Sequence, residues 1–396
     1  MKILQINSVC GRQSTGKIAA SIKKELNRNG HTCVIAYGEE NSIVDADDYH
    51  IGSEKDRYIH GVYTRMLDAH GFASQKATQR LIHFIENFKP DIIHLHNLHG
   101  YYLHVESLFR FLKAYKAPVV WTLHDCWPFT GHCTYFSFIG CEKWKEVCNN
   151  CPQHMEYPSS ILDRSEKNFR LKKELFSEIE NLTIVTPSYW LKSLVKQSFL
   201  QKHNCVVIPN GIDINVFRKR NSSLREKYRL EGKKIILGVA SVWNTRKGLP
   251  YFCELAHILD DSYQIVLIGL SKKQIIELPK EILGISNTEN QVQLAQWYST
   301  ADVFVNPTLE DNYPTTNIES IACDTPVITF DTGGSGESAA QYGTVLREKT
   351  AEAIYHHLND HFYNKIANIE SFGQKAFVQK YMKLYEMLYD VRSQNP

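Results

Sequence analysis

The chain has 396 residues, of which 43% are hydrophobic and 22% charged, and its formal net charge is +2. This length exceeds what one hydrophobic core usually organises, so two domains are expected. The near-neutral charge argues against nucleic acid as the main ligand. No apolar run reaches about 18 residues, and the amino terminus soon turns polar, so we expect a cytoplasmic protein. In that compartment the ten cysteines are expected to be thiols or metal ligands rather than disulfides.

Short apolar runs rich in β-branched residues recur along the chain, and helical patterns lie between most of them. The predicted strands are Lys2–Asn7, Cys33–Tyr37, Asp91–His96, Pro118–His124, Leu182–Pro187, Val206–Pro209, Lys234–Ala240, Gln264–Gly269, Asp302–Asn306 and Pro326–Phe330. Runs that are apolar throughout are typical of parallel strands covered on both faces. Strands that alternate with helices indicate doubly wound α/β sheets, and two such series predict two Rossmann-like domains.

The domain boundary is expected near the turn sequence Asn210-Gly211-Ile212-Asp213. We predict a first domain over residues 1–205 with a cysteine-rich insert at 126–152, and a second domain over residues 206–375. The last residues, 376–396, are predicted to form a helix that packs back on the first domain. Ligands of open α/β sheets bind beyond the carboxyl ends of the strands, so the loops after the strands hold the candidate sites.

Three loops of the first half follow predicted strands. Gly16 lies where the first helix begins and allows close backbone approach; the P-loop pattern is incomplete there, so an ATPase is not expected. His94 and His96 share one strand face, where histidines are more often core residues than ligands, and His96 is kept as a candidate acceptor-site residue. His124 ends the strand at 118–124.

The insert places four cysteines and His132 within twenty residues. Cys148-x-x-Cys151 has the spacing of a zinc knuckle. We favour a structural zinc over disulfides and over free buried thiols; the four predicted ligands are Cys133, Cys141, Cys148 and Cys151.

A basic cluster follows the insert, at Ser165–Glu174. Such charge runs are usually solvated helix faces, and contact with anionic lipid is the alternative. Its cations are Lys167, Arg170, Lys172 and Lys173.

The most informative segment is the acidic loop after the strand at 302–306. A helix is predicted to open at Pro314, because proline is favoured where first-turn N–H groups have no partners. Those amides and the helix dipole make a site for anions. Glu319, about one turn later, can bind a vicinal diol such as a ribose. The alternative makes Asp311 a helix cap and Glu319 a solvated residue. The first-turn N–H groups that would bind the anion are those of Thr315, Thr316 and Asn317.

Asp311 and Glu319 are eight residues apart, and Asp324-Thr325-Pro326-Val327 follows them. This pattern resembles the signature of glycosyltransferase family 4, which has the GT-B fold of two Rossmann-like domains facing across a cleft. The resemblance covers nearly the whole chain. Its further segments are Asn210–Asp213, Ala301–Pro307 and Thr332–Glu337.

The resemblance implies a retaining glycosyltransferase of capsule or exopolysaccharide assembly. It would move a hexose-type sugar from a UDP- or GDP-sugar to a glycan or polyprenyl-diphosphate-linked acceptor, with no metal required for catalysis and with peripheral membrane contact. The implied catalytic residues are His124, Asp311 and Glu319. The implied donor-binding residues are Gly16, Arg246, Lys247, Glu310, Asn312, Tyr313, Thr315, Thr316, Asn317 and Glu319.

Two departures from the family pattern leave alternatives open. The first acid is usually Glu, but here it is Asp311 with Glu310 before it, so either can contact the donor. The cationic pair Arg-x-x-x-x-Lys-Gly keeps only Lys247-Gly248, and Arg246 either replaces the missing arginine or faces solvent. Some cation must offset the leaving diphosphate.

Two other functions remain as alternatives. One is a nucleotide-sugar epimerase or hydrolase of the same fold, which would turn over the donor without an acceptor. The other is a zinc-knuckle nucleic-acid binder, which would need a basic stripe and salt-dependent binding.

Overall fold

The computed structural model describes residues 1–340, 342–359 and 369–394. The chain divides into two compact units, one of Met1–Pro209 with Val378–Pro396 and one of Asn210–Phe377. Within the described residues, no helix has the length and apolar character needed to cross a bilayer.

The first unit holds a seven-stranded parallel sheet with the order β3-β2-β1-β4-β5-β6-β7. Its strands are β1 (Lys2–Asn7), β2 (Thr32–Tyr37), β3 (Tyr49–His50), β4 (Ile92–Leu95), β5 (Val119–Thr122), β6 (Leu182–Thr186) and β7 (Asn204–Val207). Its helices are α1 (Gln13–Arg28), α2 (Glu54–Leu67), α3 (Gln75–Phe88), α4 (Val105–Ala114), α5 (Ser165–Ser177) and α6 (Tyr189–Gln197). β4 and β5 are buried along their whole length, as strands covered on both faces should be.

The second unit holds a six-stranded parallel sheet with the order β10-β9-β8-β11-β12-β13. Its strands are β8 (Lys234–Val239), β9 (Tyr263–Ile268), β10 (Ile282–Ile285), β11 (Val303–Asn306), β12 (Val327–Phe330) and β13 (Gly343–Leu346). Its helices are α7 (Leu224–Lys227), α8 (Leu249–Ile258), α9 (Lys272–Glu277), α10 (Gln291–Thr300), α11 (Thr315–Ala322), α12 (Ser335–Ala339) and α13 (Ala351–His357).

The last helix, α14 (Gln374–Gln394), begins in the second unit, and its residues from Val378 belong to the first. Two of its tyrosines are fully buried against the first sheet. The Tyr381 hydroxyl lies 2.9 Å from Thr122 Oγ1 on β5. The Tyr385 hydroxyl lies 2.6 Å from Nδ1 of His94 on β4. These buried hydroxyls have the partners they need, so the helix is held by polar as well as apolar contacts.

Each of the ten predicted strands overlaps an observed strand, and the two parallel sheets confirm the predicted α/β class. Three observed strands were not predicted, namely β3, β10 and β13. All three lie at sheet edges.

Asp68 joins three parts of the first unit. It follows α2 in the left-handed region, with φ of 51°, and its side chain is almost fully buried. One carboxylate oxygen lies 2.6 Å from His132 Nδ1 in the insert. The other accepts from the Arg164 N–H at 3.0 Å, just before α5. Its backbone carbonyl accepts from Asn168 on α5 at 2.7 Å. One buried carboxylate therefore ties α2, the insert and α5 together.

We predict that Asp68→Asn lowers the free energy of unfolding of the first unit by about 2 kcal/mol, because the amide nitrogen cannot accept a hydrogen bond as the carboxylate oxygen does, and one buried donor is left without a partner. Amide hydrogen exchange of α2 and α5 measures the change without requiring the two units to unfold together. Asp390→Asn, at an exposed position of α14, is the matched control and should change exchange little. If the amides of α2 and α5 are equally protected from exchange in both variants, Asp68 does not hold these helices in place.

Candidate functional site

Two loops of the second unit meet at the carboxyl edge of its sheet. Lys247 lies in the loop after β8, and its ammonium pairs with the carboxylate of Asp311 in the loop after β11. Both side chains keep some exposure, 24% for the lysine and 17% for the aspartate. Glu310 is instead buried, and its backbone carbonyl accepts from Arg246 Nη1 at 2.9 Å. Of the two neighbouring acids, Asp311 is therefore the one beside the cation.

Glycines fix the backbone of these loops. Gly333 has φ of +57°, and a Cβ there would lie 2.0 Å from the Asp311 carbonyl oxygen. The next residue, Gly334, donates its N–H to the same oxygen at 2.9 Å. Gly248 has φ of +82°, and a Cβ there would lie 2.3 Å from the Pro307 carbonyl oxygen. Any side chain at Gly333 or Gly248 would displace the acidic loop.

α11 begins at Thr315, directly after Pro314. Thr315 and Thr316 are half-buried. Asn317, by contrast, is fully buried; its side-chain oxygen accepts from Asn306 at 2.8 Å, and its amide group donates to Ser338 at 2.8 Å. The predicted donor contact of Asn317 is its backbone N–H and not its side chain. The side chain's hydrogen bonds are used inside the core, where it supports the start of the helix.

Glu319 is half-buried on α11. The Tyr298 hydroxyl donates to its Oε2 at 3.2 Å. Burial, followed by the Glu319 charge, holds the pKa of Tyr298 well above its ordinary value, so the phenol stays a donor. The sequence did not single out Tyr298, because a lone buried tyrosine carries no motif. In the acidic loop, Asn312 is buried and donates its N–H to Asp311 Oδ1 at 2.9 Å.

Tyr313, the next residue of that loop, is half-buried. Burial, with a smaller effect of Glu337, raises the pKa of Tyr313 to about 12. Its hydroxyl therefore stays protonated at neutral pH.

In the first unit, His124 follows β5 and contacts a buried polar chain. Gln5 donates its amide N–H to the Ala19 carbonyl at 2.9 Å, so its Oε1 accepts from His96 Nε2 at 3.0 Å. His96 Nδ1 then accepts from His124 Nε2 at 3.1 Å. This network assigns the tautomers and leaves the lone pair of His124 on Nδ1. Removal from water lowers the pKa of His124 to about 4, so the ring is neutral at physiological pH. His96 positions His124.

A second pair lies at the same edge. His99 Nε2 donates to Asp125 Oδ2 at 2.7 Å, and the other oxygen of Asp125 accepts from the Trp127 N–H at 2.9 Å. Burial opposes ionisation of Asp125, but the interactions with His99 and the Trp127 N–H outweigh it and lower the pKa of Asp125. Tyr157 Oη lies 3.4 Å from His99 Nδ1. Sequence reasoning did not select this pair, because its members are 26 residues apart.

Gly16 lies in the first turn of α1 and is buried. A Cβ there would lie 3.0 Å from the Val9 carbonyl oxygen. The group that approaches Gly16 closely is therefore a backbone carbonyl of the chain itself, that of Val9.

The four insert cysteines and His132 line one small cavity of about 10 Å³, roughly the space of one water-sized sphere. His132 Nε2 is buried and has no hydrogen-bond partner among the described residues, while Nδ1 contacts Asp68. Cys151 is hydrogen-bonded to Cys133, which lowers the pKa of Cys151 to about 7. Gly131 donates its N–H to Cys148 Sγ at 3.2 Å.

The ligand atoms of this cavity are not gathered around a common point. Among the described residues, the set with three ligand atoms within 4.8 Å of one another is Asp45, Asp47 and Asp48. Those carboxylates surround the ammonium of Lys23 at 2.9, 2.8 and 2.7 Å. The ammonium lies among the three carboxylates and offsets part of their charge, so this group is explained as an ion-pair network.

The basic cluster on α5 is not a uniform solvated face. Lys172 is almost fully buried, and its ammonium donates to the carbonyls of Trp127 and Thr130 at 2.8 and 3.1 Å. It lies 3.5 Å from the centre of the Trp127 ring, a cation–π distance. Arg170 pairs with Glu166 at 2.8 Å. The assignment of Lys172 to a solvated or lipid-facing cluster is therefore wrong, because helical periodicity turns this position inward.

Comparison with known proteins assigns the family. The model of "Glycosyltransferase Family 4" matches residues 16–216, and that of "Glycosyl transferases group 1" matches residues 233–362. A protein of Escherichia coli strain K12, named as the colanic acid biosynthesis glycosyl transferase WcaC, is 26% identical over 288 residues. That match covers 67% of this chain and 66% of the relative, slightly less than two thirds of its length.

Solved structures show the same fold. Sucrose-phosphate synthase from Thermosynechococcus elongatus has a TM-score of 0.71 at 16% identity, and the match covers 98% of this chain and 99% of that one. Anabaena HepE in complex with UDP-glucose has a TM-score of 0.60 at 13% identity, with both chains covered fully. With both family models matched and the two parallel sheets described above, the chain belongs to glycosyltransferase family 4 and has the GT-B fold.

Proposed function

We propose that this enzyme transfers a hexose from a UDP- or GDP-sugar to a glycan or polyprenyl-diphosphate-linked acceptor in polysaccharide assembly, with retention of the anomeric configuration. The observation that carries the proposal is the edge of the second sheet, where Lys247, Asp311 and the start of α11 come together with Glu319 on the same helix. Related enzymes support it: HepE was crystallised with UDP-glucose. A Campylobacter jejuni relative, 22% identical over 204 residues, is named for an undecaprenol-linked acceptor.

Lys247 is suited to the diphosphate. Its ammonium is held by Asp311 but remains partly exposed, so an incoming phosphate can share it. The N–H groups of Thr315 and Thr316 at the start of α11 and the helix dipole add positive potential at the same edge. We assign the diphosphate to this position. Arg246, by contrast, donates to the Glu310 carbonyl, and we assign it the task of holding the acidic loop.

Glu319 is suited to the ribose. A carboxylate has two oxygens that can accept from the two vicinal hydroxyls, and such charge-assisted hydrogen bonds are the strong ones. Tyr298 donates to Oε2 and so fixes the orientation of the group. We assign ribose recognition to Glu319, with Tyr298 as its positioning residue.

The reaction breaks the bond between the anomeric carbon and the diphosphate oxygen and forms a bond from that carbon to the acceptor oxygen. The acceptor proton passes to the departing phosphate, so no protein base is required. Catalysis then rests on positioning and on charge stabilisation of the leaving group. We assign Lys247 to the leaving diphosphate and neutral His124 to hydrogen bonding of the donor sugar, with Asp311 orienting the lysine.

The first prediction concerns the donor. Thermal unfolding with UDP, GDP and ADP should show a raised melting temperature for UDP or GDP, because a ligand that binds the native state stabilises it. Glu319→Ala should weaken binding of that nucleotide about 10- to 100-fold, since hydrogen bonds to a charged group contribute about 1.5–3 kcal/mol. Tyr298→Phe should weaken it less, because the carboxylate remains.

Glu352→Ala, an exposed position in the first turn of α13, is the control for Glu319 and should bind as the parent does. Unchanged nucleotide affinity in Glu319→Ala would refute ribose recognition by this residue. Donor turnover without any acceptor would favour the hydrolase or epimerase alternative.

A second prediction separates phosphate from ribose. Lys247→Met should weaken UDP or GDP at least tenfold but leave the free nucleoside unaffected, because the nucleoside carries no phosphate. Isothermal titration of both ligands measures this. Lys272→Met, on the exposed face of α9, is the matched control. Equal losses for nucleoside and diphosphate would contradict a phosphate role for Lys247.

We also propose a structural zinc in the cysteine insert. The donor set fits zinc: four thiols and a histidine line a cavity of atomic size. The unpartnered Nε2 of His132, with Asp68 on Nδ1, is the arrangement that carboxylates impose on metal-binding histidines. A bound zinc requires the sulfurs to lie around one point.

Elemental analysis of enzyme purified without chelator should therefore find about one zinc per chain, and chelation should lower the melting temperature because binding to the native state stabilises it. Cys148→Ser should lose both the metal and the chelator effect. Cys253→Ser, on α8 of the other unit, should retain them. If the purified enzyme contains no zinc and chelation leaves its melting temperature unchanged, the zinc proposal is wrong and the cavity is a packed cluster of thiols.

A further inference from the structure

The carboxyl-terminal helix α14 is joined to β4 and β5 by buried hydroxyl groups. The Tyr385 hydroxyl lies 2.6 Å from His94 Nδ1, and the Tyr381 hydroxyl lies 2.9 Å from Thr122 Oγ1. Thr122 Oγ1 also lies 2.8 Å from His94 Nε2, so both ring nitrogens of His94 have partners. Replacing both members of a buried hydrogen bond by apolar groups is often nearly neutral for stability. Packing alone therefore does not require these hydroxyl groups.

The proton positions around His94 follow from these contacts. Burial holds the pKa of Tyr385 well above its ordinary value, so its phenol keeps a proton that needs an acceptor. Among the described residues, the acceptor that this hydroxyl reaches is His94 Nδ1. The ring proton of His94 then lies on Nε2, which donates to Thr122 Oγ1. Because a threonine hydroxyl can either donate or accept, it is Tyr385 that selects the tautomer of His94.

The His94 ring packs directly against the His96 ring. Their centres are 4.0 Å apart, and their planes are tilted by 37°. Burial, with a smaller effect of neighbouring histidines, holds the pKa of both rings well below the ordinary value, so both are neutral. In the low-dielectric interior the dipole of one neutral ring acts strongly on the other. Close packing also prevents one ring from flipping without displacing its neighbour. The state of His94 therefore influences that of His96.

His96 connects this pair of rings to His124. His96 Nε2 donates to Gln5 Oε1 at 3.0 Å, and Nδ1 accepts from His124 Nε2 at 3.1 Å. The rings of His96 and His124 are nearly parallel, with an angle of 14° between their planes. A flipped His96 would turn ring carbons toward both partners, and His124 would lose the acceptor that keeps its proton on Nε2.

His124 depends on this contact for its tautomer. Within the part of the chain that the structure describes, its hydrogen-bond partner is His96. The ring is neutral at physiological pH because burial lowers the pKa of His124 to about 4, so its single proton can lie on either nitrogen. With the proton on Nε2, Nδ1 is an acceptor, whereas the other tautomer would make Nδ1 a donor. The kind of contact that His124 offers at the carboxyl edge of the sheet is therefore decided at His96.

We propose that Tyr385 and His94 are positioning residues for His124. The Tyr385 hydroxyl fixes the tautomer of His94, and the packed His94 ring fixes the orientation of His96. His96 then leaves Nδ1 of His124 as an acceptor for a hydroxyl group of the donor sugar. The sugar part rests on the proposed function; the tautomer part does not. Tyr385 and His94 are fully buried and act only through His96, so α14 contributes to the candidate site as well as to packing.

The tautomer part is tested by nitrogen NMR of the full chain with isotope-labelled histidine, because the chemical shift of a ring nitrogen shows whether it is protonated. The signals of His124 are identified as those missing in His124→Gln. In the parent, Nε2 of His124 should be protonated and Nδ1 should not. Tyr385→Phe should give His124 a mixture of both tautomers, since it removes only the hydroxyl that orders His94. Tyr389→Phe, the same change at a half-buried position of α14, should leave the parent spectrum unchanged.

A second pair of variants tests the other nitrogen of His94. Thr122→Val leaves the His94 Nε2–H without its acceptor and should also disturb the His124 signals, whereas Thr122→Ser keeps the hydroxyl and should not. This pair decides the question if Tyr385→Phe does not fold. If the His124 signals in Tyr385→Phe or, failing that variant, in Thr122→Val are those of the parent, the proposal is wrong.

The sugar part is tested by isothermal titration with the tightest-binding of UDP-glucose, UDP-galactose and GDP-mannose and with its own nucleoside diphosphate. The ratio of the two affinities gives the contribution of the sugar. Tyr385→Phe should lower this ratio about threefold or more, because only part of the population then offers His124 Nδ1 as an acceptor. Its affinity for the nucleoside diphosphate should equal that of the parent, since the proposed phosphate and ribose contacts lie in the second unit.

The two measurements keep this proposal apart from the proposed function. Disturbed His124 signals with an unchanged affinity ratio would refute the contact of His124 with the sugar and leave the positioning by Tyr385 and His94 standing. A parent that binds no nucleotide would refute the donor site, and the NMR result would still decide whether α14 sets the tautomer of His124.

Discussion

The buried carboxylate of Asp68 is the constraint that organises the functional side of the first unit. The residue has a left-handed backbone at the end of α2, its two carboxylate oxygens contact His132 and the Arg164 N–H, and its backbone carbonyl accepts from Asn168. A buried charge is tolerated when it is paired and fully hydrogen-bonded. Because its partners come from the insert and from α5, neither can move without uncovering the charge. α2 is held by the same bonds.

Most of the fold could be predicted from the sequence because central parallel strands are apolar along their whole length. β4 and β5 are of this kind. The strands that were missed, β3, β10 and β13, all lie at sheet edges. An edge strand pairs on one side only and is less covered, so it needs fewer apolar residues. β3 has two residues, and glycine interrupts β10. These segments take their conformation from the neighbouring strand, which no local pattern reveals.

Motif spacing identifies the segments that form the candidate site, but it does not show which way each side chain points. Glu310 and Asp311 are neighbours, and only the fold shows that the first is buried and the second pairs with Lys247. The spacing also does not show that the Asn317 side chain closes a hydrogen-bond network in the core. α2 also departs from the usual helical pattern, since the residues it buries are the polar His60 and Thr64.

In the proposed mechanism, the pairing of Lys247 with Asp311 has a consequence for catalysis. A lone lysine at the phosphate position would be free to rotate, and ordering it on binding costs side-chain entropy. Held by Asp311, it is already oriented. The aspartate also offsets part of the lysine's charge, so attraction to the bound diphosphate is moderated. As the sugar leaves, negative charge on the diphosphate rises, and the lysine can then shift its interaction from Asp311 to the phosphate. An interaction that strengthens as charge develops lowers the barrier more than it tightens substrate binding.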